Sequence, residues 1–203
     1  PVVNRDDPRG CYGNALRCAV ELSILDAFGQ LLGKSVSAVT RYFQPAEAIQ
    51  SQHSFVRYGV VIDSGGRAVG QKALGRRLYG FCDCKVKGGR AGGDDVARLR
   101  TIRRVMGSQV DLRLDANEAW RATELRTRME PLRKFNVTSV EQPVPHGEVA
   151  ALAELRPLLG VPVMLDESLT SLADAHAAIA GRTCDFFNIR LSKCGGFLNS
   201  LRI

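Results

Sequence analysis

The chain of 203 residues is 45% hydrophobic and 24% charged, a composition with enough apolar material for one sizeable core, which excludes the disordered and fibrous classes. No window approaches the roughly 18 apolar residues that a membrane helix needs, and the most apolar stretch, residues 15–32, is broken by Arg17, Glu21, Asp26 and Gln30. The formal charge of +7 would suit nucleic acid or an acidic small molecule, but the basic residues are dispersed: Arg98, Arg100, Arg103 and Arg104, then Arg121, Arg126 and Arg128, recur with helical periodicity among acidic neighbours, as on solvated helix faces. Neither a membrane nor a nucleic acid is the expected partner, and a basic nucleic-acid-binding module stands only as the weakest alternative.

The chain opens on Pro1 with a polar stretch over residues 1–9 that has no apolar signal core. Six cysteines (Cys11, Cys18, Cys82, Cys84, Cys184, Cys194) are too sparse for a disulfide scaffold and read as reduced thiols of a cytoplasmic protein. Cys82-Asp83-Cys84 lacks both the CxxC spacing and a second ligand pair that a structural zinc requires. Residues 11–33 predict one long helix, with Ala15, Cys18, Ala19, Leu22, Leu25, Ala27, Leu31 and Leu32 at three-to-four spacing and Gly33 ending it; that face needs a partner. A looser stretch follows to about residue 54.

From residue 55 onward, β-rich runs alternate with amphipathic segments. Strands are expected at 56–62, 82–87, 110–114, 137–140, 161–165 and 186–191, and helices at 68–78, 94–105, 121–135, 148–158 and 171–179. Such repetition implies a parallel sheet with right-handed crossovers, either open and doubly wound or closed as a barrel. The residues closing successive strands favour the barrel. Lys87 is followed by Asp115, Glu141, Asp166 and Arg190 at steps of 28, 26, 25 and 24, so each βα unit delivers one charged group at its C-terminal end, where barrel enzymes gather their catalytic groups at one mouth. Cys194-Gly195-Gly196 matches neither a dinucleotide-binding nor a P-loop spacing.

Three carboxylates converging at one mouth would repel strongly in a medium of low dielectric unless a cation neutralised them. An all-oxygen set without neighbouring His or Cys favours a hard ion, Mg²⁺, with Mn²⁺ as the alternative. Lys85 and Lys87, two apart on the preceding strand, point to the same face. A lysine among apolar neighbours and beside another cation has its charged form disfavoured, which would leave a neutral amine to act as a general base. On its own, Lys-x-Lys is equally the mark of a solvated edge strand. His53, His146 and His176 are isolated and read as surface or satisfied histidines.

Lys85-Val86-Lys87, Asp115-Ala116-Asn117, Glu141-Gln142-Pro143, Asp166-Glu167-Ser168 and Asn188-Ile189-Arg190-Leu191-Ser192-Lys193-Cys194-Gly195-Gly196 together resemble the successive strand signatures of the enolase superfamily. The similarity is greatest to its muconate-lactonising branch, which includes dipeptide epimerases and o-succinylbenzoate synthases. The helix carrying Ala19-Val20-Glu21-Leu22-Ser23-Ile24-Leu25-Asp26 resembles the one that precedes the barrel and belongs with the capping domain. The resemblance implies Mg²⁺ held by Asp115, Glu141 and Asp166, and abstraction of the proton α to the carboxylate of a small molecule to give a metal-stabilised enolate. It implies Lys85 as electrostatic stabiliser, Lys87 as base on one face, and Asn117 and Glu167 as supports of the metal site. Where the branch has a lysine acting on the opposite face, this chain has Arg190, which is permanently protonated and suited to bidentate binding rather than proton transfer. Lys193 is the substitute candidate. Racemisation or epimerisation, cycloisomerisation and syn-elimination all remain open. The mandelate-racemase branch would need a His-Asp dyad from strands six and seven, and Arg190 stands where its aspartate would be.

The expected architecture is therefore α/β: residues 1–54 as the helical part of an α+β capping domain, and 55–203 as an incomplete (β/α) barrel with strands one to six, in a homo-oligomer when full-length. A non-catalytic fragment that retains the metal site is the second reading. A complete eight-unit barrel takes about 250 residues, so the chain is expected to be a fragment with two open sheet edges. Size-exclusion chromatography and thermal melting of the isolated chain test this: aggregation or partial unfolding is expected, and a monomeric, cooperative melt would contradict it.

Overall fold

The structure, a computed structural model, describes residues 9–42, 55–63, 65–66 and 68–203. His53 and most of the looser stretch lie outside the described residues. The chain divides into two compact units, one formed by Val56–Ser168 with Ala178–Phe187, the other by Pro1–Phe55, Leu169–Ala177 and Asn188–Ile203.

The first of these is a partial TIM-type (β/α) barrel. Six strands, β1 (Gly59–Ile62), β2 (Asp83–Lys87), β3 (Asp111–Asp115), β4 (Ser139–Glu141), β5 (Val163–Leu165) and β6 (Phe186–Phe187), pair in parallel in sequence order. Helices α2 (Ala68–Leu78), α3 (Asp95–Met106), α4 (Ala122–Met129) and α5 (Leu152–Leu159) alternate with them, while α6 (Leu172–Gly181) divides between the two units after Ala177. Strand alternation sorts the residues into two sets. Cys84, Val86, Leu112, Leu114, Val140 and Leu165 are buried with helix residues such as Leu99, Ile102, Leu125 and Leu159. The opposite face carries Lys85, Lys87, Arg113, Asp115 and Glu141, where barrels usually pack Val, Ile and Leu.

Local chemistry sets the ends of the helices. Asp94 caps α3 by accepting a hydrogen bond from the Ala97 amide at 2.9 Å. The helix expected over 121–135 divides, because Pro131 cannot continue the α-helical hydrogen-bond ladder: α4 stops at Met129 and Glu130–Phe135 is a 3₁₀ turn. The helix expected from residue 148 likewise begins as a 3₁₀ turn, His146–Ala151, before α5. The strand expected over 186–191 is only Phe186–Phe187. Among the described residues it pairs with β5, and the ladder ends at Leu165 opposite Phe187, where β5 itself ends.

Four arginines join successive units at the end of the sheet opposite the strand C-termini. Arg77 donates to Val105 O at 2.6 Å; Arg103 donates to the carbonyls of Phe135 and Asn136 at 2.9 Å each; Arg133 donates to those of Leu158 and Leu159; and Arg156 donates to that of Arg182. Each cation meets the chain leaving the next helix, where carbonyls lack helical partners and the macrodipole is negative. Part of the excess positive charge is thus committed within the fold.

In the other unit, α1 (Asn14–Leu32) buries Asn14 and Cys18, with Glu21, Leu22 and Leu25 half-buried on the same side. A second apolar row, Leu16, Val20, Ile24 and Phe28, is exposed. Of the face expected from the sequence, Cys18, Leu22 and Leu25 turn inward while Ala15, Ala19, Ala27, Leu31 and Leu32 do not. Asn14 Nδ2 donates to Lys193 O at 2.7 Å and Thr170 O at 3.3 Å, and Glu21 Oε1 accepts from the Leu198 amide at 2.8 Å at the start of α7 (Phe197–Arg202). Gly196, with φ +123°, is needed here because a Cβ would run into the Glu21 carboxylate. No helix among the described residues is long and apolar enough to cross a membrane.

Arg103→Met should lower the unfolding free energy by about 1–3 kcal/mol, since the carbonyls lose charge-assisted partners. Urea denaturation measures this.

Candidate active site at the strand C-termini

The parallel register places Lys87, Asp115 and Glu141 opposite one another on β2, β3 and β4. Glu141 in turn pairs with Met164, so Asp166 stands two residues further along, just beyond β5. Asp115, Glu141 and Asp166 are all buried. The Lys85 ammonium donates to Asp115 Oδ2 at 2.9 Å and Glu141 Oε1 at 2.8 Å, and that of Lys87 donates to Asp115 Oδ2 at 2.7 Å and Asn117 Oδ1 at 2.6 Å. Arg113, two residues before Asp115 and hence on the same face, places Nε 3.3 Å from Glu141 Oε2. Asn117 closes the group: its amide N–H reaches Asp115 Oδ1 at 3.1 Å and its side-chain amide reaches Glu167 Oε1 at 3.0 Å.

The turns after the strands hold this geometry at some conformational cost. Of the five non-glycine residues with positive φ among the described residues, three (Asn117, Glu118 and Gln142) follow β3 and β4. The Ala116 and Glu118 amides donate to the carbonyls of Glu141 and Gln142 at 3.0 and 2.8 Å, tying one turn to the next. After β2 the chain turns at Gly88 and Gly89; at Gly89, with φ +68°, a Cβ would lie 2.5 Å from that of Ala119. Buried Arg98 donates to Lys87 O at 2.6 Å and Asp95 Oδ1 at 2.7 Å, holding this turn from beneath.

Charge follows from contact. Burial alone would push the Asp115 carboxyl up, but hydrogen bonds from Lys87 and Lys85 and their charges outweigh it and hold the group below the usual carboxylate range. Burial likewise works against the Lys85 ammonium, and its bonds to Glu141 and Asp115 with their charges again prevail, so its pKa lies above the ordinary lysine value. The depressed lysine expected from the sequence is thus not found at Lys85: two carboxylate partners counteract desolvation and the neighbouring cation. Glu167 is pushed up by burial and by the Asp166 charge. All six cysteines are free thiols, and burial pushes Cys84 up to about 11.

A hard cation suits this donor set: three buried carboxylates from successive strand ends, with no soft ligand among them. Among the described residues no three His, Cys, Asp or Glu side chains are grouped closely enough to hold a metal ion. The lysine ammoniums instead supply the positive charge at Asp115 and Glu141.

Arg190 and Lys193 fall in the other compact unit. Arg190 is exposed, three residues beyond β6 rather than closing a strand, while Lys193 donates to Asn188 O at 3.1 Å and is half-buried. His146 places Nδ1 3.4 Å from Glu118 Oε1. The sequence reading missed Arg113 and Gln142 as members of the group; the even spacing of Arg113 from Asp115 was an available signal.

The parallel strands, the alternating helices and charged groups ending the strands define part of a (β/α)-barrel scaffold. Residues 68–203 match the family described as Enolase C-terminal domain-like, and the chain belongs to that family. It is 33% identical over 196 residues to the D-Ala-D/L-Ala epimerase of Cytophaga hutchinsonii, covering 95% of this chain and 50% of the relative. Identity to the L-Ala-D/L-Glu epimerase of Clostridium acetobutylicum is 36% over 189 residues, 92% of this chain and 51% of the relative. The crystal structure of a dipeptide epimerase from Cytophaga hutchinsonii, complexed with Mg and D-Ala-L-Val, superimposes with a TM-score of 0.83 at 28% identity, over 94% of this chain and 50% of the other. The chain thus spans about half the length of the relatives it matches.

The Asp115 carboxylate contributes stability above its ordinary titration range near pH 3.9, and the contribution is lost as pH falls through its depressed folded value. Lys85 contributes below the ordinary lysine range near 10.4, and its contribution is lost as pH rises through its raised value. Without added divalent cation, Asp115→Asn should therefore cost about 1–3 kcal/mol across neutral pH, with the difference from wild type shrinking below about pH 4. Denaturant titrations from pH 3 to 7 measure this.

Proposed function

We propose that the strand C-termini form the metal-binding part of an isomerase site that removes the proton α to the carboxylate of a small substrate. One observation carries this reading: the strand register that puts Lys87 level with Asp115 and Glu141, with Lys85 bridging the two carboxylates. Asp115, Glu141 and Asp166 would hold Mg²⁺, which when bound supplies positive charge against the negative charge developing on the substrate carboxylate.

The chain's own residues divide the remaining work. Lys85 stays charged between Asp115 and Glu141 and stabilises developing negative charge by its field. Lys87, with its side chain 28% exposed against 16% for Lys85, is the more accessible amine and, once it has given up its own proton, would take the substrate's proton at Nζ. Asn117 accepts a hydrogen bond from Lys87 and donates one to Glu167, which orients the lysine at the mouth.

Dipeptides are the proposed substrate class, on the strength of the names of the relatives and of the dipeptide in the superposed structure. Epimerisation is the preferred outcome among the open ones for the same reason. It requires a proton donor on the second face, and Arg190 is a poor one. That residue supports the second reading, in which Mg²⁺ binds without turnover.

The test, in the full-length parent protein, is exchange of the α-proton of Ala-Glu and Ala-Ala dipeptides in heavy water with Mg²⁺, followed by proton NMR. Wild type should exchange; Lys87→Ala and Asp166→Asn should each reduce the rate by about 10²–10⁴-fold. Exchange retained by either variant would refute the assignment. Mg²⁺ binding by calorimetry with no exchange by wild type would favour the non-catalytic reading.

A further inference from the structure

We propose that Gln142 is a positioning residue for the metal site: its buried side-chain amide fixes the backbone at Asp166, and thereby the placement of that carboxylate relative to Glu141. The inference rests on the metal-site reading above.

Gln142 directly follows Glu141, is fully buried, and has φ +38°, a region that residues with a Cβ seldom adopt. Its side chain uses its full hydrogen-bonding capacity. Oε1 accepts from the Asp166 amide at 3.0 Å and the Ser168 amide at 3.1 Å, while Nε2 donates to Val144 O at 2.8 Å and Ser168 Oγ at 2.6 Å. The partners fix the orientation of the amide, because a flipped group would set NH₂ against two N–H donors and its oxygen against a carbonyl. On the main chain, the Gln142 amide donates to Met164 O and its carbonyl accepts from the Glu118 amide, each at 2.8 Å.

These bonds do what the strand ladder no longer does. β4 ends at Glu141 and β5 at Leu165, so Asp166 lies beyond regular pairing. The Gln142 side chain continues the pairing by one further step, accepting the Asp166 N–H where a neighbouring backbone carbonyl would otherwise be needed. Asparagine is one methylene too short for this, glutamate lacks the two donors, and methionine has the length without the polarity.

The experiment compares wild type, Asp166→Asn, Gln142→Met and Ser168→Ala in the full-length parent protein by Mg²⁺ calorimetry and thermal melting. Wild type should bind Mg²⁺ and Asp166→Asn should not. Gln142→Met should lose at least about tenfold in affinity, the scale on which groups that orient metal ligands act. Ser168→Ala leaves both N–H bonds to Oε1 in place and should stay within about threefold of wild type. Undiminished Mg²⁺ affinity in Gln142→Met, or an equal loss in Ser168→Ala, overturns the proposal while the metal reading stands. Failure of wild type to bind Mg²⁺ overturns both. If Gln142→Met does not melt cooperatively, hydrogen exchange of wild type decides: the Asp166 amide should be protected like the ladder amide of Gln142, and exchange at loop rates would overturn the proposal.

Discussion

A fully buried aspartate at the end of a central strand is the constraint around which the rest of the site is arranged. Asp115 has no water to solvate its charge, and Glu141 carries a second one on the adjacent strand at the same level. Two such carboxylates persist as anions only if cations are delivered to them. The chain supplies them from the neighbouring strand and from beneath, with Lys85 shared between both acids, Lys87 on Asp115 and Arg113 against Glu141. A divalent cation held by the same carboxylates, as proposed above, would meet the same requirement. The site thus carries its own positive charge at both carboxylates.

The two ends of the sheet divide the labour. At the C-terminal end, polar groups face one another, and the turns adopt positive φ at Asn117, Glu118 and Gln142 to aim them. At the other end, Arg77, Arg103, Arg133 and Arg156 each clasp the carbonyls of the following unit. Between the ends, Val86, Leu112, Leu114 and Val140 supply the burial that holds strands to helices. Strain in the turns at the C-terminal end is thus offset by apolar packing and charge-assisted bonds elsewhere.

How far this was legible in the sequence depends on the range of each interaction. Strand spacing and alternation are local, so the parallel sheet, the common face of Lys85 and Lys87, and the carboxylates ending successive strands could be read directly. The split at Pro131 was also a local signal, but the amphipathic pattern running past it gave a single helix. The early end of β6 follows the end of its partner β5 at Leu165, which no pattern local to residues 186–191 records. The arginine clasps look in sequence like solvated helix charges, because their carbonyl partners lie 25 or more residues away. Gln142 was visible in its motif, but its function depends on where the amides of Asp166 and Ser168 stand.

The segment bearing Arg190 and Lys193 is tied down by α1, through Asn14 to the Lys193 carbonyl and through Glu21 to the Leu198 amide, with Gly196 leaving room for the Glu21 carboxylate. Substitutions at two helix positions can therefore reshape that segment while every strand residue stays the same. The conformation of this loop is thus held from α1, by bonds that span 179 and 177 residues of chain.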